Sequence, residues 1–161
     1  MQYKNIIFDD VVNYRETSMF IGTCFCDWKC CKEIGADICL CQNSPAYCLK
    51  IKEIDNDRLV RKYLKMGTMH AVVLGGFEPF WENSWDDVLG FLKCFRNATQ
   101  DTIVVYTGYR EDESQDKLEQ LKALGNVIVK FGRYKPNQKP HYDEVLGVKL
   151  ANDEQYAKRI G

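Results

Sequence analysis

The sequence has no long hydrophobic run, no surplus of positive charge and only two histidines. Its first apolar run, residues 6–8, is too short for a signal peptide or a membrane span, so we expect a cytoplasmic protein without a membrane partner. Lys and Arg number 22 against 23 Asp and Glu, and this balance argues against nucleic acid as a partner because phosphate binding needs a basic surplus. The length predicts a single domain over residues 1–161.

Cysteine, by contrast, is abundant and unevenly distributed. Seven of the eight cysteines fall in one window at about residues 24–48, and they are Cys24, Cys26, Cys30, Cys31, Cys39, Cys41 and Cys48. A secreted disulfide scaffold would spread its cysteines along the chain and would need an export signal. Thiols crowded together in a reducing compartment indicate a metal or cluster site, and the alternative is that they are small buried hydrophobes.

The rest of the chain alternates between apolar strands and amphipathic helices. We predict strands at residues 18–22, 71–74, 102–106 and 127–131, with a last one at 145–150. We predict helices at residues 56–66 and 111–124, and between them a helix that begins at the N-cap Ser84. This alternation is typical of βαβ units, so the predicted class is α/β, with a mostly parallel sheet or part of a barrel.

Every unusual segment follows one of the four main predicted strands. The cysteine window follows the first strand, and Gly75-Gly76-Phe77-Glu78-Pro79 follows the second. Thr107-Gly108-Tyr109-Arg110 and Gly132-Arg133-Tyr134 follow the third and fourth. Because chemistry in α/β folds is found beyond the carboxyl ends of the strands, we expect these segments to share one edge of the sheet.

The spacing within the cysteine window leaves two kinds of metal site open. Cys26 and Cys30 are separated by three residues, and Cys41 is a candidate third ligand, with Cys39 and Cys31 as rivals. Three thiolates can hold an iron–sulfur cluster that keeps one iron open for a small molecule. Zinc is the alternative, although a structural zinc site usually needs four nitrogen or sulfur ligands.

The segment from Cys26 to Cys30 resembles the start of the C-x3-C-x2-C signature of the radical S-adenosylmethionine enzymes. The polar, aromatic and basic residues between these cysteines fit that family, whereas the ten residues between Cys30 and Cys41 replace its usual two. The glycine turn resembles the family's G-G-E-P turn with Phe77 added. Residues 10–13, 105–109, 126–131 and 150–155 resemble, in the same order, segments of the anaerobic ribonucleotide reductase activating proteins, although the Gly-Pro-Gly of the first is absent.

The resemblance covers nearly the whole chain, from about Asp10 to about Arg159, and it implies a fold, a site and an activity. The fold would be a small partial, open βα barrel with a mostly parallel sheet. The metal ligands of a 4Fe–4S cluster would be Cys26, Cys30 and Cys41, and S-adenosylmethionine would be bound by Gly75, Gly76, Glu78, Thr107 and Lys130. In the family the glycine turn binds the amino group of S-adenosylmethionine, and the resemblance also implies that Thr107 and Lys130 face its nucleoside or its carboxylate.

The implied activity is that of a glycyl-radical activating enzyme. One electron from a flavodoxin- or ferredoxin-type donor would pass through the cluster and cleave S-adenosylmethionine, and the resulting 5′-deoxyadenosyl radical would take a hydrogen atom from a glycine of the partner. That partner would be an anaerobic ribonucleoside-triphosphate reductase. The alternatives are a radical enzyme with another substrate, a non-catalytic zinc-stabilised α/β binding module, and a cysteine-rich redox protein, for which no C-x-x-C motif is present.

Overall fold

The computed structural model describes all 161 residues. Its strands are β1 (Gln2–Tyr3), β2 (Asn5–Asp10), β3 (Ser18–Gly22), β4 (Lys52–Glu53), β5 (Ala71–Gly75), β6 (Thr102–Tyr106), β7 (Val127–Phe131), β8 (His141–Asp143), β9 (Val148–Leu150) and β10 (Tyr156–Arg159). Its α-helices are α1 (Lys29–Glu33), α2 (Asn56–Met66), α3 (Glu82–Ala98) and α4 (Gln115–Lys122). Three short 3-10 helices are Ile38–Leu40, Ser44–Cys48 and Glu111–Glu113.

Six of these strands form one sheet in the order β10-β7-β6-β5-β3-β2. The four central strands β3, β5, β6 and β7 are parallel to one another, whereas the two edge strands run antiparallel to their neighbours. The predicted α/β class with a mostly parallel sheet is therefore confirmed. The edge strands β2 and β10 do not pair with each other, so the sheet does not close into a barrel.

The two faces of the sheet are covered unequally. Side chains alternate along a strand, so Val72 and Leu74 of β5 join a core of 23 buried residues beneath the helices. Ala71 and Val73 join a cluster of only 8 on the opposite face, where the cover comes from loop side chains such as Leu146. The second face is thus the thinner one and leaves space for a ligand. None of the helices combines the length and the apolar character needed to cross a membrane.

The central elements agree with the sequence predictions. Helix α2 has its predicted bounds, and Gly67 ends it in the left-handed conformation, at a φ of 65°. Strands β3, β6 and β7 also have their predicted bounds, and β5 extends one residue beyond its predicted end, to Gly75. The prediction of a helix at residues 111–124 was too long, because the chain there forms a 3-10 turn before α4.

Two other predictions about the chain were wrong or incomplete, and the edge strand β10 was missed. Ser84 is not the N-cap of α3, because the helix begins at Glu82 and Ser84 lies buried in its first turn. The tail at 145–150 contributes only β9, which pairs with β8 outside the main sheet. The strand that completes the sheet is β10, a short and mostly exposed edge strand whose sequence is too polar to indicate a strand.

Candidate cofactor and metal-binding site

The carboxyl ends of the four parallel strands surround a pocket of about 190 Å³. All eight residues predicted to bind metal or cofactor line it, and they are Cys26, Cys30, Cys41, Gly75, Gly76, Glu78, Thr107 and Lys130. They come from four separate loops or strand ends, so only the folded sheet brings them together. Their role in binding stays a prediction.

The first two thiols of the pocket are positioned by a sharp local turn. Trp28, between them, takes the left-handed conformation, at a φ of 57°, and its backbone N–H donates to the Sγ of Cys26 at 3.3 Å. Helix α1 starts immediately afterwards and carries Cys30 in its first turn. Burial raises the pKa of the Cys26 thiol to about 12, so a metal bound there has to displace a proton.

The third thiol of the pocket belongs to Cys41, which follows the 3-10 helix Ile38–Leu40. A hydrogen bond from the Cys30 thiol lowers the pKa of Cys41, and the backbone amides of Asn43 and Ser44 lower it further. The same contact raises the pKa of Cys30. A thiol that loses its proton readily is favoured as a metal ligand.

Neither of the rival third ligands lines the pocket. Cys39 is exposed to solvent and does not line the pocket; its backbone N–H donates to the Oδ1 of Asp37, the N-cap of the 3-10 helix, at 2.7 Å. Cys31 is buried beside Cys30 on α1, with its Sγ 3.9 Å from that of Cys30, and it does not line the pocket. Position in the fold therefore favours Cys41 over both.

The donor set of the pocket consists of three thiols and no histidine. No three His, Cys, Asp or Glu side chains are close enough in this structure to hold a metal ion as they stand. Three thiols beside an open pocket nevertheless match the ligand number of a cluster with one open iron better than a closed four-ligand zinc site. The chemistry of the donor set thus fits a 4Fe–4S cluster held by Cys26, Cys30 and Cys41.

The glycine turn after β5 forms another wall of the pocket. Gly76 has a φ of 80°, and a Cβ at this position would lie 3.3 Å from the Cα of Gly22 on β3. A side chain there would therefore be both strained and crowded. The turn is tied to β3 because the Oγ1 of Thr23 donates to the Gly75 carbonyl at 3.0 Å.

Glu78 is fully buried and accepts three hydrogen bonds. Its donors are the Oγ1 of Thr107 at 2.6 Å, the N–H of Gly108 at 2.8 Å and the N–H of Phe80 at 2.9 Å. Burial raises the pKa of Glu78, and the three hydrogen bonds oppose that shift. The carboxylate thus joins the loop after β5 to the loop after β6, a structural role that accompanies its position in the pocket wall.

We expect replacement of Glu78 by alanine to destabilise the fold. Three buried donors would lose their acceptor, at a cost of about 3 kcal/mol, which corresponds to a fall of roughly 6 to 12 °C in the melting temperature of a chain of this length. Thermal unfolding followed by circular dichroism measures this. Glu82→Ala is the control, because Glu82 is exposed at the start of α3. Equal melting temperatures for Glu78→Ala and Glu82→Ala would show that Glu78 does not stabilise the contact between the loops after β5 and β6.

Lys130 is the only cation in the pocket wall. It lies at the end of β7 on the thinly covered face, and its Nζ donates to the carbonyl of Gly132 at 2.9 Å. Burial lowers the pKa of Lys130 from 10.5 to about 8, against the opposing attraction of Glu78. A buried ammonium with one hydrogen bond has donors left for an anionic group of a ligand.

Sequence reasoning missed the aromatic residues that hold the cysteine segment in place. The rings of Trp28 and Phe77 pack edge to face with centroids 5.5 Å apart, and Tyr47 lies 5.9 Å from Trp28. The Nζ of Lys4 secures this segment by donating to the carbonyls of Tyr47 and Leu49. The sequence signal for this packing was Phe77, an aromatic residue inside the glycine turn. Its packing partner is Trp28, which lies between Cys26 and Cys30.

A scan against protein-family models returns no match for this chain, and neither do searches of curated proteins and of solved structures. The candidate site therefore stands on its own residues and geometry.

Proposed function

We propose that this chain is a radical S-adenosylmethionine enzyme that generates a glycyl radical on a partner protein, the anaerobic ribonucleoside-triphosphate reductase. The observation that carries the proposal is that three thiols, a glycine turn and one buried lysine line the same pocket, at the carboxyl ends of four parallel strands. In this proposal the open six-stranded sheet is a partial barrel of the radical-enzyme type. Its thinly covered face is where the substrate glycine approaches.

Each group of pocket residues has a distinct task in this proposal. Cys26, Cys30 and Cys41 hold the 4Fe–4S cluster, which when bound supplies the electron that cleaves S-adenosylmethionine into methionine and the radical that takes the glycine hydrogen. The electron comes from a flavodoxin- or ferredoxin-type donor. The chain orients the cosubstrate and limits the access of water and oxygen.

The cosubstrate is oriented by backbone and by charge. Gly75 and Gly76 let the chain approach the amino group of S-adenosylmethionine closely, with the carboxylate of Glu78 nearby. Lys130 pairs with the carboxylate of the methionine part, because a buried cation gains most from an anionic partner. Thr107 keeps Glu78 in place through its 2.6 Å hydrogen bond.

The proposal is tested by reconstituting the protein with iron and sulfide under nitrogen and recording the EPR spectrum after reduction, with and without S-adenosylmethionine. We expect a cluster signal that changes when S-adenosylmethionine is added, because the open iron is its binding site. Cys26→Ala and Cys30→Ala should lose the signal. Cys94→Ala is the control, since its thiol contacts Asp57 at 3.0 Å, away from the pocket. Equal iron in all three variants would refute the site.

One observation favours a second candidate, a zinc-stabilised binding module without catalysis. Sulfur ligands of a tetrahedral zinc ion lie about 3.8 Å apart, and the Sγ atoms of Cys30 and Cys31 are 3.9 Å apart. In this reading Cys31 is the fourth ligand. A colourless protein that retains one zinc per chain and assembles no cluster would establish it.

A further inference from the structure

A network of five charged side chains lies beside the pocket and joins three loops. Its members are Lys29 and Glu33 on α1, Arg110 and Glu113 after β6, and Arg133 after β7. The proposed function uses none of them. Because α1 also carries Cys30, the network links the thiol-bearing helix to the carboxyl edge of the sheet.

Arg133 is the centre of this network. Its side chain is 2% exposed, and its two terminal nitrogens donate to the two carboxylate oxygens of Glu113, each at 2.8 Å. Its Nε lies 2.8 Å from the Oε2 of Glu33, an ionic contact without the alignment of a hydrogen bond. A bidentate pair of this kind fixes geometry as well as charge. Arg133 therefore holds α1 and the loop after β6 at the same time.

Helix α1 depends on such outside contacts because it cannot stabilise itself. It has five residues, and no side chain caps its N-terminus; isolated helices of this length do not persist in water. Further contacts from the same short stretch reach the loop after β6, since the hydroxyl of Tyr109 donates to Asp27 at 2.7 Å and the Nζ of Lys29 lies 2.9 Å from Glu113.

We propose that Arg133 is a positioning residue that sets the place of helix α1, and with it the place of the Cys30 thiol in the pocket. The importance of that place rests on the proposed function, in which Cys30 is a cluster ligand. The positioning itself is a property of the cluster-free chain. Loss of Arg133 removes its contacts with both Glu33 and Glu113, and loss of Glu113 removes the partner that Arg133 and Lys29 share, so either change releases α1 from the edge of the sheet.

The buried thiol of Cys31 reports this release. Cys31 lies on α1 and is 5% exposed, whereas Cys24 is 6% exposed and lies outside α1. In cluster-free protein treated with iodoacetamide, with each cysteine followed by peptide mass spectrometry, Arg133→Gln and Glu113→Gln should alkylate Cys31 about tenfold faster than the parent chain, because local opening exposes it. Cys24 should keep its rate.

Arg96→Gln is the matched control variant. Arg96 is also a buried arginine, but it donates to the carbonyls of Thr99, Asp101 and Gly125, none of which lines the pocket. It should lower overall stability and leave the ratio of Cys31 to Cys24 labelling unchanged. The double variant of Arg133 and Glu113 should label Cys31 more slowly than the product of the two single effects predicts, because the two residues share one contact; fully multiplicative effects would overturn the pairing.

The positioning role is refuted if Cys31 is alkylated at the parent rate in Arg133→Gln. It is also refuted if Arg96→Gln raises the ratio of Cys31 to Cys24 labelling by the same factor. Arg133→Lys is a second test, because a lysine cannot form the bidentate pair; labelling at the parent rate in this variant would also overturn the proposal. Reconstitution of the parent chain with iron and sulfide distinguishes a failure of the positioning role of Arg133 from a failure of the proposed function. Faster Cys31 labelling in the variants, combined with no cluster in the parent, supports the positioning and refutes the proposed function.

Discussion

Replacing Cys41 by alanine is expected to remove the cluster, with iron content falling to less than about one tenth of that of the parent chain, since each missing ligand leaves the metal open to loss. Cys41 lines the pocket together with Cys26 and Cys30, and contact with the Cys30 thiol favours its deprotonated form. An iron–sulfur cluster held by three thiolates has no spare ligand. Iron and sulfide per chain after anaerobic reconstitution give the measurement.

Cys39→Ala and Cys31→Ala are the matched controls, because both residues are cysteines of the same segment that do not line the pocket. Both variants should retain the iron of the parent chain. Retention of iron in Cys41→Ala together with its loss in Cys39→Ala would move the third ligand to Cys39. Loss of iron in Cys31→Ala together with its retention in Cys41→Ala would instead move the third ligand to Cys31.

Replacing Lys130 by methionine is expected to stabilise the ligand-free chain and to weaken S-adenosylmethionine binding. Lowering the pKa of Lys130 from 10.5 to about 8 corresponds to a cost of about 3 kcal/mol for keeping the charge buried at pH 7. Loss of its hydrogen bond to Gly132 offsets about 1 kcal/mol of that gain. The net stabilisation should be about 2 kcal/mol, measured by urea unfolding.

The pH dependence of the Lys130 effect has a definite sign. Between about pH 8 and 10.5 the unfolded chain keeps the Lys130 proton while the folded chain has lost it, so this residue makes stability rise with pH across that window. Lys130→Met should lack that rise. Lys93→Met is the control, because Lys93 is exposed on α3. Identical pH profiles for the parent chain and Lys130→Met would show that the ammonium is not buried in solution.

Binding of S-adenosylmethionine gives Lys130→Met a second readout. A charge-assisted contact contributes about 1.5 to 3 kcal/mol, so its loss should weaken binding by about tenfold or more. Calorimetry of the reconstituted protein measures the affinity. A more stable variant with unchanged affinity would assign Lys130 a cost in stability without a role in the binding of S-adenosylmethionine.

That the candidate residues share one edge of the sheet was predictable from sequence, because they lie at positions that the topology controls. Cys26, Gly75, Thr107 and Lys130 each lie at or just beyond the end of a buried parallel strand, and parallel strands bring such ends to one edge. The strands that precede or carry these residues are short, continuous apolar runs separated by helical patterns, and such runs predict buried parallel strands. Cys41 has no such strand, and only the fold distinguishes it from Cys39.

The features that sequence reasoning missed depend on distant contacts. The bidentate pair of Arg133 with Glu113 joins residues 20 positions apart, and each alone reads as a solvated charge. The edge strands β2 and β10 contain Asn5, Asp10 and Arg159, polar residues that an edge tolerates and a pattern search rejects. Serine is a favoured N-cap residue, which is why Ser84 was predicted as the cap, but α3 begins two residues before it, at Glu82.

The cysteine segment contributes little to the fold, and this explains its length. Of its seven cysteines only Cys24 and Cys31 are buried, and the connection from Cys30 to Cys41 contains only the rest of the short helix α1 and one 3-10 helix. Lengthening a surface connection from two residues to ten costs only about 1.4 kcal/mol in loop entropy. Such a segment can acquire insertions over evolutionary time while the sheet beneath it remains unchanged, so the wide spacing between its cysteines is compatible with an intact binding pocket.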